Sequence, residues 1–318
     1  MAPALPAPFS EPLLPQLDLP TNLYHTEKHE RLRAFVRNYV DTYLAPHAQE
    51  WEEKGEVPAE VRRQYLQLGF GVVHPVADPA DAGGVELPAG IPYKEWDTWC
   101  SVICSDELAR LGWSGPVWGL AGSTFIEFDE VEVPVENLIG PENGGFALIM
   151  SNFNPERLSL ATMSIRLSRV CIFDAYNYAL ERETFGKKLI EHHGIKQKFA
   201  EMGALVEPAQ AFLDQLCYII ETSQTSGVEV RIGGMTALLK VMSTRCLEKV
   251  VRECRQILGG AAYNKSGKGA RLEQISRDVG VYVIGGGSEE IMTDLAVREE
   301  ARDVVRRTKK RASTQSKI

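Results

Sequence analysis

Apolar residues recur at helical spacing along most of the chain, with polar residues between them. In residues 32–44 the apolar positions repeat every three or four residues, and Pro46 ends the pattern. A second helix is predicted over 58–69, because proline suits the first position of a helix and glycine commonly ends one. A third helix is predicted over 93–111. The first third of the chain is therefore predicted to be a small helical domain.

Four longer helical patterns fill the second half of the chain. They span about 156–182, 195–221 and 231–258, and the last begins at Ser288. Several helices of more than about twenty residues joined by short loops favour an antiparallel four-helix bundle. The predicted fold class is therefore mainly α.

One stretch, residues 123–133, has the alternating, β-branched pattern of a strand. A lone strand or hairpin leaves backbone donors and acceptors unpaired and is marginal in water. The segment must therefore join other strands, pack on helices or stay poorly ordered. No other part of the sequence supplies strands that would complete a sheet.

Charge and cysteine content exclude several classes of protein. A net charge of −8 argues against a nucleic-acid-binding protein, although a local cationic pocket for a phosphate-bearing ligand is compatible with it. No apolar run approaches about 20 residues, so no membrane span is predicted. The six cysteines lie in apolar helical stretches without C-x-x-C spacing, and no histidine stands at ligand spacing. These patterns predict buried free thiols and no metal site.

Both ends of the chain differ in composition from its body. Residues 1–20 contain six prolines and no lysine or arginine, which excludes a signal peptide or an Arg-rich transit peptide and predicts a disordered arm. Residues 306–311 are basic, and the chain ends in Ser316-Lys317-Ile318, one conservative change from the Ser-Lys-Leu peroxisomal address. The tail predicts a peroxisomal location. A solvated charge run in a mitochondrial or cytoplasmic protein is the alternative.

Three connecting segments carry residues suited to a phosphate-bearing ligand. Arg182 and Thr184 follow the first long helix and offer a charge and a hydroxyl to a pyrophosphate. Gly259-Gly260 ends the third long helix without side chains that would block close approach. Residues 285–287 are glycines that permit positive φ, and Ser288 is placed to cap a helix whose free N–H groups form an anion site. Each segment taken alone is more typical of an ordinary turn.

Taken in order, these segments resemble the acyl-CoA dehydrogenase family. In that family Arg-x-x-Phe-Gly-Lys follows one long helix, Gln-x-x-Gly-Gly ends another, and a Gly-Thr/Ser turn opens the last. This chain has Arg182-Glu-Thr-Phe-Gly-Lys187, Gln256-Ile-Leu-Gly-Gly260 and Gly287-Ser288 at those places. The resemblance covers nearly all of the chain after about Tyr24, since further matches stand at Trp51-Glu-Glu-Lys-Gly-Glu-Val-Pro58, Gly69-Phe70, Gly140-Pro-Glu-Asn-Gly-Gly-Phe146 and Asn154-Pro-Glu-Arg157.

The resemblance implies an oxidoreductase that dehydrogenates the α and β carbons of an acyl-CoA thioester and passes hydride to FAD. It implies acyl-CoA contacts from Arg157 and Gly287. It also implies FAD contacts, partly across a dimer interface, from Arg182, Thr184, Gln256, Gly259, Gly260, Ser288 and Glu290. A homo-oligomer, dimer or tetramer, is expected, with an electron-transfer flavoprotein or oxygen as electron acceptor. A non-catalytic helical subunit that oligomerises or binds CoA is the alternative function.

The residue that removes the α-proton departs from the family pattern. Most members carry this carboxylate where the chain has Gly286, and a second group of members carries it at the position of Arg245. Neither residue can serve as the base. The remaining candidates for the catalytic carboxylate are Glu290, Glu289 and Glu248.

A larger departure is a missing segment. In the family a strand domain with Thr-Glu-Pro, Gly-Ser-Asp and Trp-Ile-Thr motifs holds the isoalloxazine ring, and it would lie between Leu120 and Ala121, where none of these motifs occurs. A family glutamine at the flavin is also replaced by His193. We therefore expect weak flavin retention and little or no dehydrogenation. The predicted divisions are a disordered Pro-rich arm (1–22), an N-terminal helical domain (23–120), a residual β segment of a truncated middle domain (121–145), a C-terminal helical bundle (146–305) and a basic tail (306–318).

Overall fold

The structure, a computed structural model, describes residues 7–12, 24–71, 84–121, 129–228 and 230–315. Helices make up most of it, so the predicted mainly-α class is confirmed. Residues 123–128 of the predicted strand pattern lie outside the described residues, as does the Ser316-Lys317-Ile318 tail. Among the described residues, no helix is both long and apolar enough to cross a membrane.

The N-terminal region is a group of short helices around a core of its own. These helices are α1 (Glu27–Tyr39), α2 (Ala48–Lys54), α3 (Ala59–Gln67), α4 (Thr98–Ala109) and α5 (Ser114–Ala121). A π-helical turn over Val40–Leu44 continues α1, so its apolar stripe runs on to Leu44 as predicted. The helix α2 was not predicted from the apolar pattern.

The third predicted helix begins later than expected, at Thr98. Residues Tyr93–Glu95 form a separate 3₁₀ turn instead. The Asp97 carboxylate accepts a hydrogen bond from the Cys100 backbone N–H at 3.0 Å and so caps α4. His29 of α1 also contacts this carboxylate, with Nε2 2.9 Å from Oδ2, so the cap joins α1 to α4.

The C-terminal region is a bundle of long helices. They are α6 (Gly145–Glu181), α7 (His193–Ser226), α8 (Gly233–Leu258), α9 (Ala270–Ile284) and α10 (Glu289–Gln315). The central helix is α8, which packs against all four of the others. The helix α9 was not among the four bundle helices predicted from the sequence. Its 15 residues lie between glycine-rich turns that are typical of loops.

The helices α6 and α8 run parallel. Asn154, in the third turn of α6, lies beside Gly233 at the start of α8, and further along Ser168 lies beside Cys246. Their C-terminal ends therefore meet at one end of the bundle, where α6 leads into a hairpin and α8 into a 3₁₀ turn over Gly259–Tyr263. We call this the hairpin end.

The strands in the described residues are two residues each. Strand β1 (Glu183–Thr184) pairs antiparallel with β2 (Lys187–Lys188). The turn between them has Phe185 at φ 52° and Gly186 at φ 76°, the left-handed pair that a two-residue hairpin requires. The described part of the predicted strand, residues 129–133, is not in a sheet and exposes Val131 and Val133.

Residues 7–12 fall within the predicted disordered arm but pack against the bundle. Arg169 of α6 is fully buried and donates from Nη1 to the backbone oxygens of Phe9 at 2.8 Å and Glu11 at 3.0 Å. The Phe9 ring lies so close to α7 that a Cβ at Gly203 would stand 2.7 Å from it. For these residues the prediction of disorder does not hold.

A buried ionic cluster joins the N-terminal region to the bundle. Arg166 of α6 is 1% exposed and donates two hydrogen bonds of 2.7 Å to the carboxylate of Asp106 in α4. Arg33 of α1 donates to both Asp106 and Glu107 at 2.7 Å. Burial alone would raise the pKa of Asp106, but Arg166 and Arg33 hold it well below its usual range. Hydrogen bonding to Arg37 lowers the pKa of Glu107 against the effect of burial, so both carboxylates stay ionised at neutral pH.

Candidate functional site

The glycine turn between α9 and α10 has a backbone that only glycine tolerates well. Gly286 has φ 68° and Gly287 has φ 115°. A Cβ at Gly287 would stand 2.4 Å from the Met292 side chain. The Ser288 carbonyl accepts from the Met292 N–H at 2.9 Å, which makes Ser288 the N-cap residue of α10. Two of the three glycines thus take the positive φ that the sequence predicts for this turn.

Two buried cations hold the glycine turn in place. Arg157 of α6 donates from Nε to the Gly286 oxygen at 2.9 Å. Lys240 of α8 donates from Nζ to the Gly287 oxygen at 2.9 Å and also to the Val283 oxygen. Lys240 is fully buried, and burial lowers its pKa. Sequence reasoning missed Lys240, whose signal is a lone cation within an apolar helical run.

Arg157 was predicted to contact acyl-CoA, and the structure places its guanidinium against the protein. Only 6% of it is exposed. Besides Gly286, it donates to Asn154 Oδ1 at 3.2 Å and stands 5.3 Å from the centre of the Phe153 ring. Arg157 therefore links the first turns of α6 to the glycine turn, and its contact with acyl-CoA stays a prediction.

The three candidate bases occupy different surroundings. Glu289 forms an ion pair with Arg245 of α8, and the hydrogen bond from Arg245 lowers the pKa of Glu289. Glu290 is exposed in the first turn of α10, and Glu248 is exposed on α8 beside a groove at the hairpin end. A base needs a pKa near the working pH to remove a proton efficiently. Arg245 lowers the pKa of Glu289, which moves it away from the value that a base needs.

A second group of predicted residues lines an open groove at the hairpin end. Gln256 and Gly259 contribute to a groove of about 530 Å³ together with Arg252 and Arg255. A Cβ at Gly259 or Gly260 would meet nothing within 4 Å, so a ligand can approach their backbone. Two arginines beside exposed backbone suit a diphosphate.

The hairpin carries the remaining predicted FAD contacts to the same end of the bundle. Arg182 follows α6 and is exposed, and the Thr184 hydroxyl lies 3.0 Å from His192 Nε2. His193, which replaces the family glutamine, is the exposed first residue of α7. The Phe185 ring at the tip is 98% exposed.

The hairpin and the groove are joined through the turn before α9. Lys268 pairs with Glu181 at the end of α6. Gly269 packs so closely on the Gly259–Tyr263 turn that a Cβ there would stand 2.0 Å from the Ala261 oxygen.

Along α8 the groove residue Gln256 is sixteen residues from Lys240, or about 24 Å at 1.5 Å per residue. The predicted residues therefore form two groups, one at the hairpin end and one at the glycine turn.

One cluster in the described residues brings potential metal ligands together. Atoms of His29, Asp97 and Cys100 lie within 4.8 Å of one another. The Asp97 carboxylate is already engaged by Lys28 at 2.6 Å and by His29, and burial raises the pKa of Cys100 to about 12. A protonated thiol and a bound ammonium disfavour a metal ion, so this cluster acts as the cap of α4.

All six cysteines are free and buried, as predicted. Burial raises the pKa of Cys246 to about 11, so this thiol stays protonated at neutral pH. The thiols contribute packing and offer no nucleophile near either group of site residues.

Comparisons with known proteins agree with the geometry of both regions. Residues 26–127 match the family model described as the acyl-CoA dehydrogenase N-terminal domain, and residues 143–300 match the acyl-CoA dehydrogenase C-terminal domain. The fold is similar to that of a putative acyl-CoA dehydrogenase from Mycobacterium smegmatis, with a TM-score of 0.73 and 21% identity. That match covers 88% of this chain and 99% of the other.

Two curated relatives are similar in sequence. The acyl-CoA dehydrogenase AFT10-1 of Alternaria alternata is 30% identical over 420 aligned positions, which cover 94% of this chain and 97% of the relative. The acyl-CoA dehydrogenase apdG of Emericella nidulans is 40% identical over 218 positions, covering 69% of this chain and 48% of that protein.

The first of these alignments also bears on the missing segment. It spans 420 positions, whereas this chain has 318 residues, so at least 102 positions have no counterpart here. The two family-model matches leave only residues 128–142 between them. Both observations agree with a middle domain that is largely absent. The chain belongs to the acyl-CoA dehydrogenase family of FAD-dependent oxidoreductases.

Proposed function

We propose that this chain is an acyl-CoA dehydrogenase-type protein that binds FAD and an acyl-CoA but retains flavin weakly and has little or no turnover. In the family reaction a carboxylate removes the α-proton of the thioester while hydride leaves the β carbon. FAD, when bound, supplies the hydride acceptor. The observation that carries the proposal is the pairing of Arg245 with Glu289 beside Gly286.

The pairing of Arg245 with Glu289 concerns both positions at which members of the family carry the base. At Gly286 there is no side chain, and a Cβ there would stand 2.9 Å from Leu160 and 3.3 Å from Arg157. At the second position the guanidinium of Arg245 takes up the nearest carboxylate, Glu289. An ionised carboxylate stabilised by an arginine is a weak base, so proton removal is expected to be slow.

The hairpin end fits the phosphate part of FAD. Arg182, Arg252 and Arg255 offer cations, and Gly259-Gly260 offers unobstructed backbone. Within the described residues, the short hairpin is the only β structure, so no sheet is there to hold a flavin ring. The protein is therefore expected to bind the diphosphate of FAD but to hold the flavin ring poorly, which favours weak retention of FAD.

Flavin retention and turnover can be measured on the purified full chain. We expect substoichiometric flavin absorbance after gel filtration and, with FAD in excess, no bleaching of that absorbance by acyl-CoA. Arg255→Ala is expected to weaken FAD binding roughly tenfold, the size of one charge-assisted hydrogen bond. Arg302→Ala, an exposed arginine on α10, serves as the matched control and should leave binding unchanged. Stoichiometric flavin that bleaches with acyl-CoA would overturn the proposal.

Acyl-CoA dehydrogenases assemble as oligomers, and we propose a homo-oligomer here that uses α10. Val297 and Val304, seven residues apart on one face of that helix, are 72% and 55% exposed. We expect light scattering to give at least a dimer, and Val297→Asp with Val304→Asp to give a monomer. Val131→Asp, at an exposed valine outside the bundle, is the control. A strictly monomeric unsubstituted chain would contradict this assignment.

A further inference from the structure

A cavity of about 320 Å³ lies where α4 of the N-terminal region meets the bundle helices α6, α7 and α8. Eight of its fourteen lining residues have polar side chains, among them Ser105, Asn154, Ser159, Gln224 and Thr236. Most of the surface that these residues expose to the cavity is nevertheless apolar, so an alkyl chain fits and a polar substituent is favoured only where a hydrogen-bonding group faces it. The lining therefore indicates which kind of ligand the cavity would accept.

A second, smaller cavity adjoins the first. It has a volume of about 140 Å³ and shares Trp96, Ser105 and Ser159 with the larger one. The rest of its lining is mostly apolar, with side chains such as Phe70 and Met163. The two cavities therefore offer two mainly apolar compartments, with the two serines at the junction.

The serine pair is itself a hydrogen-bonding group. Ser105 Oγ and Ser159 Oγ are 3.0 Å apart, with Ser105 buried and Ser159 half-buried. A hydroxyl pair has two hydrogens, and the bond between the oxygens uses one of them. The other hydrogen can turn toward a ligand oxygen. An alkyl chain passing this point would offer it no acceptor.

One side chain of the larger cavity is hydrogen-bonded to the arginine that holds the glycine turn. Asn154 lines the cavity, and its Oδ1 accepts from Arg157 Nη1 at 3.2 Å. The same guanidinium donates to the Gly286 oxygen at 2.9 Å. Asn154 therefore lies between the cavity and the glycine turn, and the acyl chain of a thioester held at that turn would pass Asn154 to enter the larger cavity.

We propose that Ser105 and Ser159 select acyl thioesters that carry an oxygen substituent partway along an otherwise apolar chain. This inference rests on the proposed function, because it requires an acyl-CoA at the glycine turn. The oxygen would accept from the serine pair, and the apolar terminus beyond it would occupy the smaller cavity. Ser105 and Ser159 are then specificity-determining residues that take no part in the proton or hydride steps.

The test uses CoA thioethers, which lack the thioester group and so cannot undergo the dehydrogenation. The probes are octyl-CoA thioether and a set of its analogues that carry one hydroxyl at successive positions from the fourth to the seventh carbon. Binding to the full chain with FAD in excess is measured by calorimetry. We expect one hydroxylated analogue to bind roughly two- to tenfold more tightly than octyl-CoA, the range of one hydrogen bond. In Ser105→Ala with Ser159→Ala, octyl-CoA binding should persist and the preference should vanish.

Ser266→Ala, an exposed serine that lines neither cavity, is the control and should keep the preference. If octyl-CoA and all hydroxylated analogues bind equally, or octyl-CoA binds best, the selectivity inference is wrong while acyl-CoA binding stands. A preference that survives in the double variant overturns the role of the serines. If no thioether binds at any concentration that the assay reaches, the proposed function fails, and the inference fails with it.

Discussion

Replacing Arg166 by methionine is expected to lower the free energy of unfolding by about 3–5 kcal/mol, the usual cost of removing one partner from a buried ion pair. Arg166 is 1% exposed and makes both of its 2.7 Å bonds to Asp106 from within the interface between α4 and α6. Without it the Asp106 carboxylate keeps Arg33 but loses its bidentate partner. The N-terminal region should therefore loosen from the bundle.

Urea denaturation followed by circular dichroism measures this loss directly. Arg302→Met removes an exposed arginine paired at i,i+3 with Glu299 and should cost less than about 1 kcal/mol. Asp106→Leu combined with Arg166→Met should recover part of the loss, because the buried carboxylate that lost its bidentate partner is then removed while Arg33 keeps Glu107. A loss in Arg166→Met no larger than in the control would contradict the importance assigned to this pair.

The same pair predicts how stability depends on pH. The pKa of Asp106 is depressed in the folded chain, because Arg166 and Arg33 outweigh the effect of burial. A depressed carboxyl pKa contributes stability at pH values above the unfolded value of about 4, and that contribution is lost as pH falls below it. The unsubstituted chain should therefore lose stability steeply below about pH 4, and Arg166→Met should show a shallower loss.

Replacing Lys240 by methionine is expected to cost about 2–3 kcal/mol and to disturb the glycine turn. The fully buried ammonium donates to the backbone oxygens of Val283 and Gly287. Methionine keeps most of the stem volume but donates nothing, so two buried carbonyls lose a charged donor. The turn should then relax from the φ of 115° at Gly287.

Two measurements separate the local effect from a general loss of stability. Lys249→Met on the same helix removes an exposed lysine 3.0 Å from Glu253 and should cost less than about 1 kcal/mol. Calorimetry with octyl-CoA thioether should show weaker binding for Lys240→Met and unchanged binding for Lys249→Met. Equal stability in the two variants would mean that the glycine turn does not depend on Lys240.

The sequence alone determined the local features of this protein. The apolar spacing predicted the long helices, because a helix buries one face whatever its partner is. The turn at residues 285–287 was recognisable because glycine itself permits the positive φ that Gly286 and Gly287 take. The motif order identified the family for the same reason, since each motif is a short stretch of chain.

Only the tertiary structure decided which distant residues meet. Arg166 pairs with Asp106 across 60 residues, Lys240 reaches a turn 47 residues away, and Arg245 neutralises Glu289. Such contacts depend on how α4, α6, α8 and α10 pack, and side-chain charge carries no information about its partner's position. The division of the site residues into two groups follows from the parallel course of α6 and α8. The short loops already predict this parallel course, but periodicity does not show which helices are neighbours, so the contacts at each end could not be read from the sequence.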